Sequence, residues 1–255
     1  MPQFIGWMPI ERIFVGYRKR NDRMASMEKI QADFDRLAVL STEEWNHNDY
    51  YHPFLLKHIP AQCDQALDIG CGTGGFSRLL AQRAQHVLAL DLSPQMIRVA
   101  QERSRSFNNL EYQVADVLEY ELPTAHFDCI VSIATLHHLP LDLMLEKMKT
   151  ALKGNGVLMV LDLFQAESIS DYALSIPAIP WNFALRLWKQ HRLQPPLEVR
   201  AAWAEHGRTD VYPTLSKVRR SCQSILPGAH ITRHLLWRYS IRWTKPQHAQ
   251  PILSF

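Results

Sequence analysis

From about residue 65 the chain alternates short apolar runs with amphipathic stretches, and few folds accept that pattern. "QALDI" reads as a first strand and "FSRLLAQRA" as the helix that follows it. "HVLALDL" is a second strand, and "PQMIRVAQERS" a helix opened by Ser93 as its cap with Pro94 at the first helical position. "LEYQVAD" gives a third strand and "FDCIVSIA" a fourth. "LDLMLEKMKTAL" is then a helix stopped by Gly154, and "GVLMVLDLF" a fifth strand. Strands this continuously apolar are covered on both faces, and a helix between successive strands makes them parallel. The chain of 255 residues, 47% hydrophobic and 21% charged, is large enough to bury such a sheet. The fold class expected is α/β: a doubly wound, Rossmann-like sheet.

The alternation breaks at residues 165–213. Pro177, Pro180, Pro195, Pro196 and Pro213 fall there, with Tyr172, Trp181, Phe183 and Trp188 among the first of them. This is too long for a plain loop and reads as a mostly helical lid insert. Order returns with "TLSKVRRSCQSIL", a helix, and with "AHITRHLLW" and "YSIRWTK". The last two are joined almost directly, so they must form an antiparallel hairpin that closes the sheet. The boundaries that follow are 1–45 for an N-terminal extension and cap helix, 46–164 for the core, 165–213 for the lid, and 214–255 for the closing helix and hairpin.

The turn in "ALDIGCGTGGFSRLL" joins the first strand to its helix, and its glycines let a ligand approach the backbone closely. Gly70, Gly72 and Gly75 have the spacing of a dinucleotide fingerprint, whose pyrophosphate rests on a helix N-terminus. Asp68, two residues earlier, would repel that phosphate; it suits an ammonium group instead. S-adenosylmethionine (SAM) carries one, beside a sulfonium and an adenosine. Asp91 ends the second strand, where a carboxylate can accept from both ribose hydroxyls. Asp116, in "VAD", can accept from an exocyclic adenine amine, with the backbone N–H of Val117 for a ring nitrogen. Three acids at the carboxyl ends of three adjacent parallel strands line one crevice.

Taken in order, "LDIGCGTG", "LDLSPQMI", "ADV", "FDCIVSIATLHHL" and "LKGNGVLMV" resemble the successive motifs of the class I SAM-dependent methyltransferases. The resemblance is to the small-molecule group that includes the ubiquinone/menaquinone-type enzymes, and it covers about residues 46–163. It implies a seven-stranded sheet, mostly parallel with one antiparallel strand. It implies SAM as cofactor, with Asp68 and the backbone of Gly70, Cys71 and Gly72 around the methionine part and Ile133 near its amine. Asp91 would hold the ribose, Leu92 and Met96 would flank the adenine, and Asp116 and Val117 would read its edge. The alternatives are a SAM-binding protein that transfers no methyl group, and a NAD(P)-dependent oxidoreductase, against which Asp68 argues.

Methyl transfer from a sulfonium needs alignment above all, and a base only where the acceptor must lose a proton. His137 and His138, in "TLHHLP" after the fourth strand, are the candidate bases, His137 first. His47, His52, His206, Asp210 and Tyr212 are further candidates. Tyr51 and His52, in the segment before the first strand, and Trp181, in the lid, are candidate walls of the acceptor site, as is Tyr50 beside them.

Several acceptors are disfavoured. The position after the fourth strand reads "SIAT", without the Asn/Asp-Pro-Pro-aromatic motif of enzymes that methylate base amines. None of the four cysteines, Cys63, Cys71, Cys129 and Cys222, stands beside a proline as a cytosine-carbon nucleophile would, and they form no cluster for arsenite. No two share C-x-x-C spacing, so free thiols in a reducing cytoplasm are expected and no metal site. Charge is uneven: residues 27–180 carry a net −9 and residues 181–255 a net +9. The basic third lacks a dense Lys/Arg run, so weak, non-specific nucleic-acid binding is the most it suggests. A partly apolar small molecule with an anionic group is the expected acceptor. No apolar run reaches the roughly 18 residues of a membrane span.

Overall fold

The computed structural model describes residues 26–40, 47–167, 187, 196–208 and 210–247. The expectations placed on residues 1–25 and on Tyr172, Trp181, Phe183 and Trp188 lie outside the described residues. Residues 26–40 form a helix, α1. A short 3-10 turn at Asp49–Tyr51 leads into α2 (His52–His58). There follow β1 (Cys63–Ile69), α3 (Gly75–Ala81), β2 (Ala84–Asp91), α4 (Pro94–Arg103), β3 (Leu110–Val114) and β4 (Phe127–Ile133). A 3-10 turn at Leu136–His138 precedes α5 (Leu141–Ala151) and β5 (Leu152–Leu163). The chain closes with α6 (Leu197–His206), α7 (Leu215–Ile225), β6 (His230–His234) and β7 (Arg238–Thr244).

The seven strands lie in the order β3-β2-β1-β4-β5-β7-β6. The first five pair parallel, while β7 runs antiparallel to both of its neighbours, as the near-contiguous terminal strands require. The three residues between β6 and β7 close the hairpin with Leu236 and Trp237 in the left-handed region (φ 59 and 56). Alternation along each strand feeds two cores. Ile130 joins Leu67, Leu158, Met144, Met148 and Val218 on the α5/α7 side. Its neighbours Cys129 and Val131 join Ala66, Leu55, Phe76, Leu80 and Met159 on the α2/α3 side.

Local signals account for most boundaries. The Ser93 side chain accepts from the Met96 N–H (3.0 Å) with Pro94 at the first helical position, and Thr214 caps α7 in the same way through Lys217. One boundary differs from expectation. α5 ends at Ala151 rather than at Gly154, and the chain passes directly into β5. Leu152, fully buried, pairs with Phe127, so burial of that side chain in the sheet ends the helix. Gly154 and Asn155 (φ 62) instead serve the irregular start of the strand, where the β4–β5 register shifts. All four cysteines are free thiols. Among the described residues no helix is long and apolar enough to cross a membrane.

The switch point of the sheet lies between β1 and β4, because the chain builds outward from β1 through β2 to β3 and then returns to add β4 and β5 on the other side of β1. The carboxyl ends of β1, β2 and β4 therefore splay apart and open a crevice there.

Candidate active site

One cavity of about 520 Å³ runs from this crevice to the roof made by α1 and α6. Of the residues singled out in the sequence for the cofactor, all ten line it: Asp68, Gly70, Cys71, Gly72, Asp91, Leu92, Met96, Asp116, Val117 and Ile133. The glycine turn positions three of them. Gly70, Gly72 and Gly74 have φ of +73, +52 and +75, a region that side-chain-bearing residues avoid. The Gly70 and Cys71 N–H groups both donate to Leu90 O, and Gly72 N–H donates to Asp91 Oδ2 (2.8 Å). The turn is thus tied to the end of β2.

The glycines differ in what surrounds them. A Cβ on Gly70 would overlap the Thr135 side chain, and one on Gly74 the Tyr112 hydroxyl, whereas a Cβ on Gly72 would project into open space. Gly70→Ala is therefore expected to cost roughly 1–2 kcal/mol for the left-handed backbone, with the overlap added. Gly72→Ala should bear the backbone cost alone. Urea denaturation of the two variants checks the order.

Asp68 is 2% exposed, and its carboxylate accepts from Ser77 Oγ at 2.6 Å. Burial pushes its pKa up to about 7; the Ser77 hydrogen bond opposes the shift and the nearby Asp91 adds to it. No cation pairs with it among the described residues. Asp91 is also raised by burial, less so because the N–H groups of Ser93, Gly72 and Leu92 offset it. Its Oδ1 accepts from Ser93 N–H (2.9 Å). Asp116 Oδ1 accepts from Leu118 N–H at 2.9 Å and so closes a turn after β3.

The far end of the cavity holds a buried polar cluster. His137 Nδ1 lies 2.6 Å from Asp162 Oδ1, and the His137 backbone N–H donates to Asp162 Oδ2 (2.9 Å). Asp162, on β5, also accepts from Leu163 N–H. With the carboxylate as acceptor, His137 Nδ1 carries the proton and its Nε2 keeps a lone pair. His138 Nδ1 stands 3.7 Å from Asp210 Oδ1, and Tyr212 donates to Asp210 Oδ2 (2.9 Å). Burial holds the His138 pKa down at about 4, helped by His137 and opposed by Asp210, so its ring is neutral. Arg238 joins the lining from β7. Its Nε donates to Asn48 Oδ1 (2.8 Å) and its Nη1 to Leu236 O (2.7 Å), and no carboxylate forms an ion pair with it among the described residues.

Two helices roof this end. Phe34 of α1 packs edge-on against His138, Trp203 and His206. Asp33 meets His206 Nδ1 at 3.1 Å, and Arg36 donates to Glu205 at 2.9 Å. Asp35 of the same helix accepts from Ser93 Oγ (2.5 Å) and Gln95 N–H (3.1 Å) at the start of α4.

The remaining candidates divide. His47 and His52 line the cavity, but His52 lies on the glycine-turn side, beside Phe76 and 3.3 Å from Asp49, with its pKa held down at about 4 by burial. Tyr51 does not wall the cavity, contrary to expectation. It is 5% exposed within the α2/α3-side core, its hydroxyl bound to Leu235 O at 2.6 Å, because the ring is the anchor between the N-terminal segment and the hairpin. Tyr50 is 39% exposed and stacks edge-on against Tyr51. Trp181 lies outside the described residues. Sequence reasoning missed Asp162, Arg238 and the α1 residues. Asp162 left one signal: it is the single acid in the apolar run "GVLMVLDLF".

Residues 66–156 match the methyltransferase domain family. An uncharacterized methyltransferase of Mycobacterium tuberculosis is 31% identical over 212 residues, covering 80% of this chain and 98% of that protein. The ubiquinone biosynthesis O-methyltransferase of Xylella fastidiosa is 30% identical over 123 residues, 43% of this chain and half of that one. Among solved structures, the DhpI complex with S-adenosylhomocysteine (SAH) shares the fold with a TM-score of 0.59 at 18% identity, over 87% of this chain and 98% of that one.

Proposed function

Because the chain belongs to the class I SAM-dependent methyltransferases, we propose that the cavity at the strand ends seats SAM at the glycine turn and a small acceptor beneath α1 and α6. The observation that carries this reading is Asp68: a buried carboxylate that accepts from Ser77 and has no cation beside it among the described residues. An ammonium group supplies the missing charge, and a phosphate would not. Gly72 fits as well, since the space beside its Cα is open for a ligand and its φ suits glycine. Asp68 and the Gly70–Gly72 backbone would hold the methionine part, with Ile133 beside it. Asp91 would hold the ribose hydroxyls. Leu92 and Met96 would flank the adenine, and Asp116 with Val117 would bind its edge.

Bound SAM supplies a methyl group on a cationic sulfur, open to in-line displacement. The residues of the chain must then align the acceptor, exclude water and manage the acceptor's proton. The acceptor atom is activated at the Nε2 lone pair of His137, whose ring Asp162 holds in one tautomer. In the simplest form that lone pair takes the acceptor's proton as the methyl–sulfur bond breaks and the new bond forms. Phe34, Trp203 and Tyr212 offer an apolar wall, and Arg238 offers a guanidinium that has no ion-pair partner among the described residues, which suits a partly apolar acceptor with an anionic group.

The reading is tested by incubating the protein with methyl-labelled SAM and a panel of hydroxy, amino, thiol and carbon acids. SAH is expected to form together with one labelled product. SAM that binds and is returned intact with every acceptor would count against transfer.

The state of Asp68 makes SAM affinity depend on pH. Below about 7 the ligand-free carboxyl holds a proton that must leave before it meets an ammonium. Affinity is expected to fall about tenfold between pH 7.5 and pH 6, and Asp68→Asn should flatten that dependence in calorimetry. Stability runs the other way. The folded pKa of about 7 lies above the ordinary carboxylate value of 3.8, so the folded state binds more protons between the two. The contribution of Asp68 to stability is largest at the acid end of that window and is lost as pH rises through it.

A further inference from the structure

The far end of the cavity contains a second set of donors that a purely organic acceptor site does not require. His137, His138 and Asp210 each offer one ligand atom, and the three atoms lie within 4.8 Å of one another. The His138 Nδ1 to Asp210 Oδ1 separation of 3.7 Å is too long for a hydrogen bond. It is close to the edge of a tetrahedron around a metal with ligands at about 2.0–2.2 Å, which is roughly 3.4 Å.

We propose that His137, His138 and Asp210 form a site for one divalent transition metal on the acceptor side of the cavity. Two imidazoles and one carboxylate suit Zn²⁺, Fe²⁺ or Co²⁺ over Mg²⁺ and Ca²⁺, which prefer all-oxygen sets. Two of the three ligands already have the outer partners that metal ligands use. Asp162 accepts the hydrogen bond of His137 Nδ1–H and so leaves the Nε2 lone pair for a metal. Tyr212 donates to Asp210 Oδ2 and leaves Oδ1 on the side of His138. Three protein ligands leave at least one position open to the cavity.

The inference rests on the methyl-transfer reading and narrows it to an oxygen acceptor. A hydroxyl bound at the open position loses its proton to solvent, because a divalent cation lowers the pKa of a bound O–H by several units. The resulting oxyanion attacks the methyl carbon: the O–C bond forms, the S–C bond breaks, and SAH leaves. In this form the lone pair of His137 serves the cation rather than taking the proton itself.

The site is tested without an acceptor. The full chain, free of any histidine tag, is stripped with a chelator and titrated with Co²⁺ while its visible d–d absorption is followed. One Co²⁺ per chain is expected, displaced by Zn²⁺. Asp210→Asn and His138→Ala should weaken Co²⁺ binding by at least about 100-fold, and Tyr212→Phe by about tenfold through loss of the outer partner. Circular dichroism and SAM calorimetry accompany each variant. If the wild-type chain takes up no Co²⁺ while SAM still binds, the metal site is overturned and the methyltransferase reading stands. Equal uptake by wild type and by folded Asp210→Asn also overturns it, since the ion then binds elsewhere. Failure of SAM itself to bind would instead strike at the cofactor reading.

Discussion

His137→Gln is expected to lower kcat by about 10²–10⁴-fold toward whichever acceptor the labelled-methyl panel identifies, with SAM affinity left within about twofold. Glutamine fills similar space and keeps polar atoms, but it has no lone pair of imidazole basicity. The His137 backbone N–H to Asp162 is untouched, so the turn at Leu136–His138 keeps its anchor. Asp162→Asn should reproduce most of the loss by another route. An amide can present an N–H to Nδ1, which drives the proton to Nε2 and removes the lone pair from the cavity. Single-turnover rates with saturating SAM check both variants, and an unchanged rate in folded His137→Gln would remove the residue from the chemistry.

Asp91→Ala is expected to weaken SAM binding by roughly 1.5–3 kcal/mol, the worth of charge-assisted hydrogen bonds, or about 10–150-fold in affinity. It also strips the acceptor from Gly72 N–H and Ser93 N–H, so the glycine turn and the start of α4 lose their shared anchor. Asp91→Asn separates these effects, because the amide oxygen still serves one N–H while the charge is lost. Calorimetry on folded protein decides: unchanged affinity in Asp91→Ala would remove the carboxylate from the ribose.

The sheet and the cofactor end were legible in the sequence because their signals are local. "ALDIGCGTGGFSRLL" holds a strand, its turn and its helix within fifteen letters, and the carboxylates follow at the ends of the next strands. Continuous apolar runs marked the strands, and Ser93 with Pro94 marked a helix start by capping chemistry that needs no distant partner. The acceptor end is assembled from far-separated pieces and left fewer traces. His137 meets Asp162, 25 residues on; His206 meets Asp33, 173 residues back; Arg238 reaches Asn48 across 190. A histidine pair after the fourth strand was visible, but which ring nitrogen carries the proton depends on a strand that pairs beside it. His137, His138 and Asp210 were each visible as candidates but not as the ligand set proposed above, since Asp210 comes from a segment with no C-x-x-C or His-x-x-x-His spacing to join it to them. Tyr51 shows the opposite failure: a tyrosine before the first strand looked like a wall residue, while packing against the hairpin claimed it for the core.

The fastening of α1 has a consequence for the order of events in turnover. Its Asp35 binds the start of α4 on the nucleoside side, and its Asp33 and Arg36 bind α6 on the acceptor side. One rigid helix therefore bars both compartments, and lifting it breaks both attachments together. The exposed Arg36–Glu205 pair resists that motion little, while the half-buried contacts of Asp35 with Ser93 and of Asp33 with His206 resist it more. On the proposed reading, the spent nucleoside and the methylated product would await the same opening, and the residence time of each would be a property of the helix rather than of the ligand.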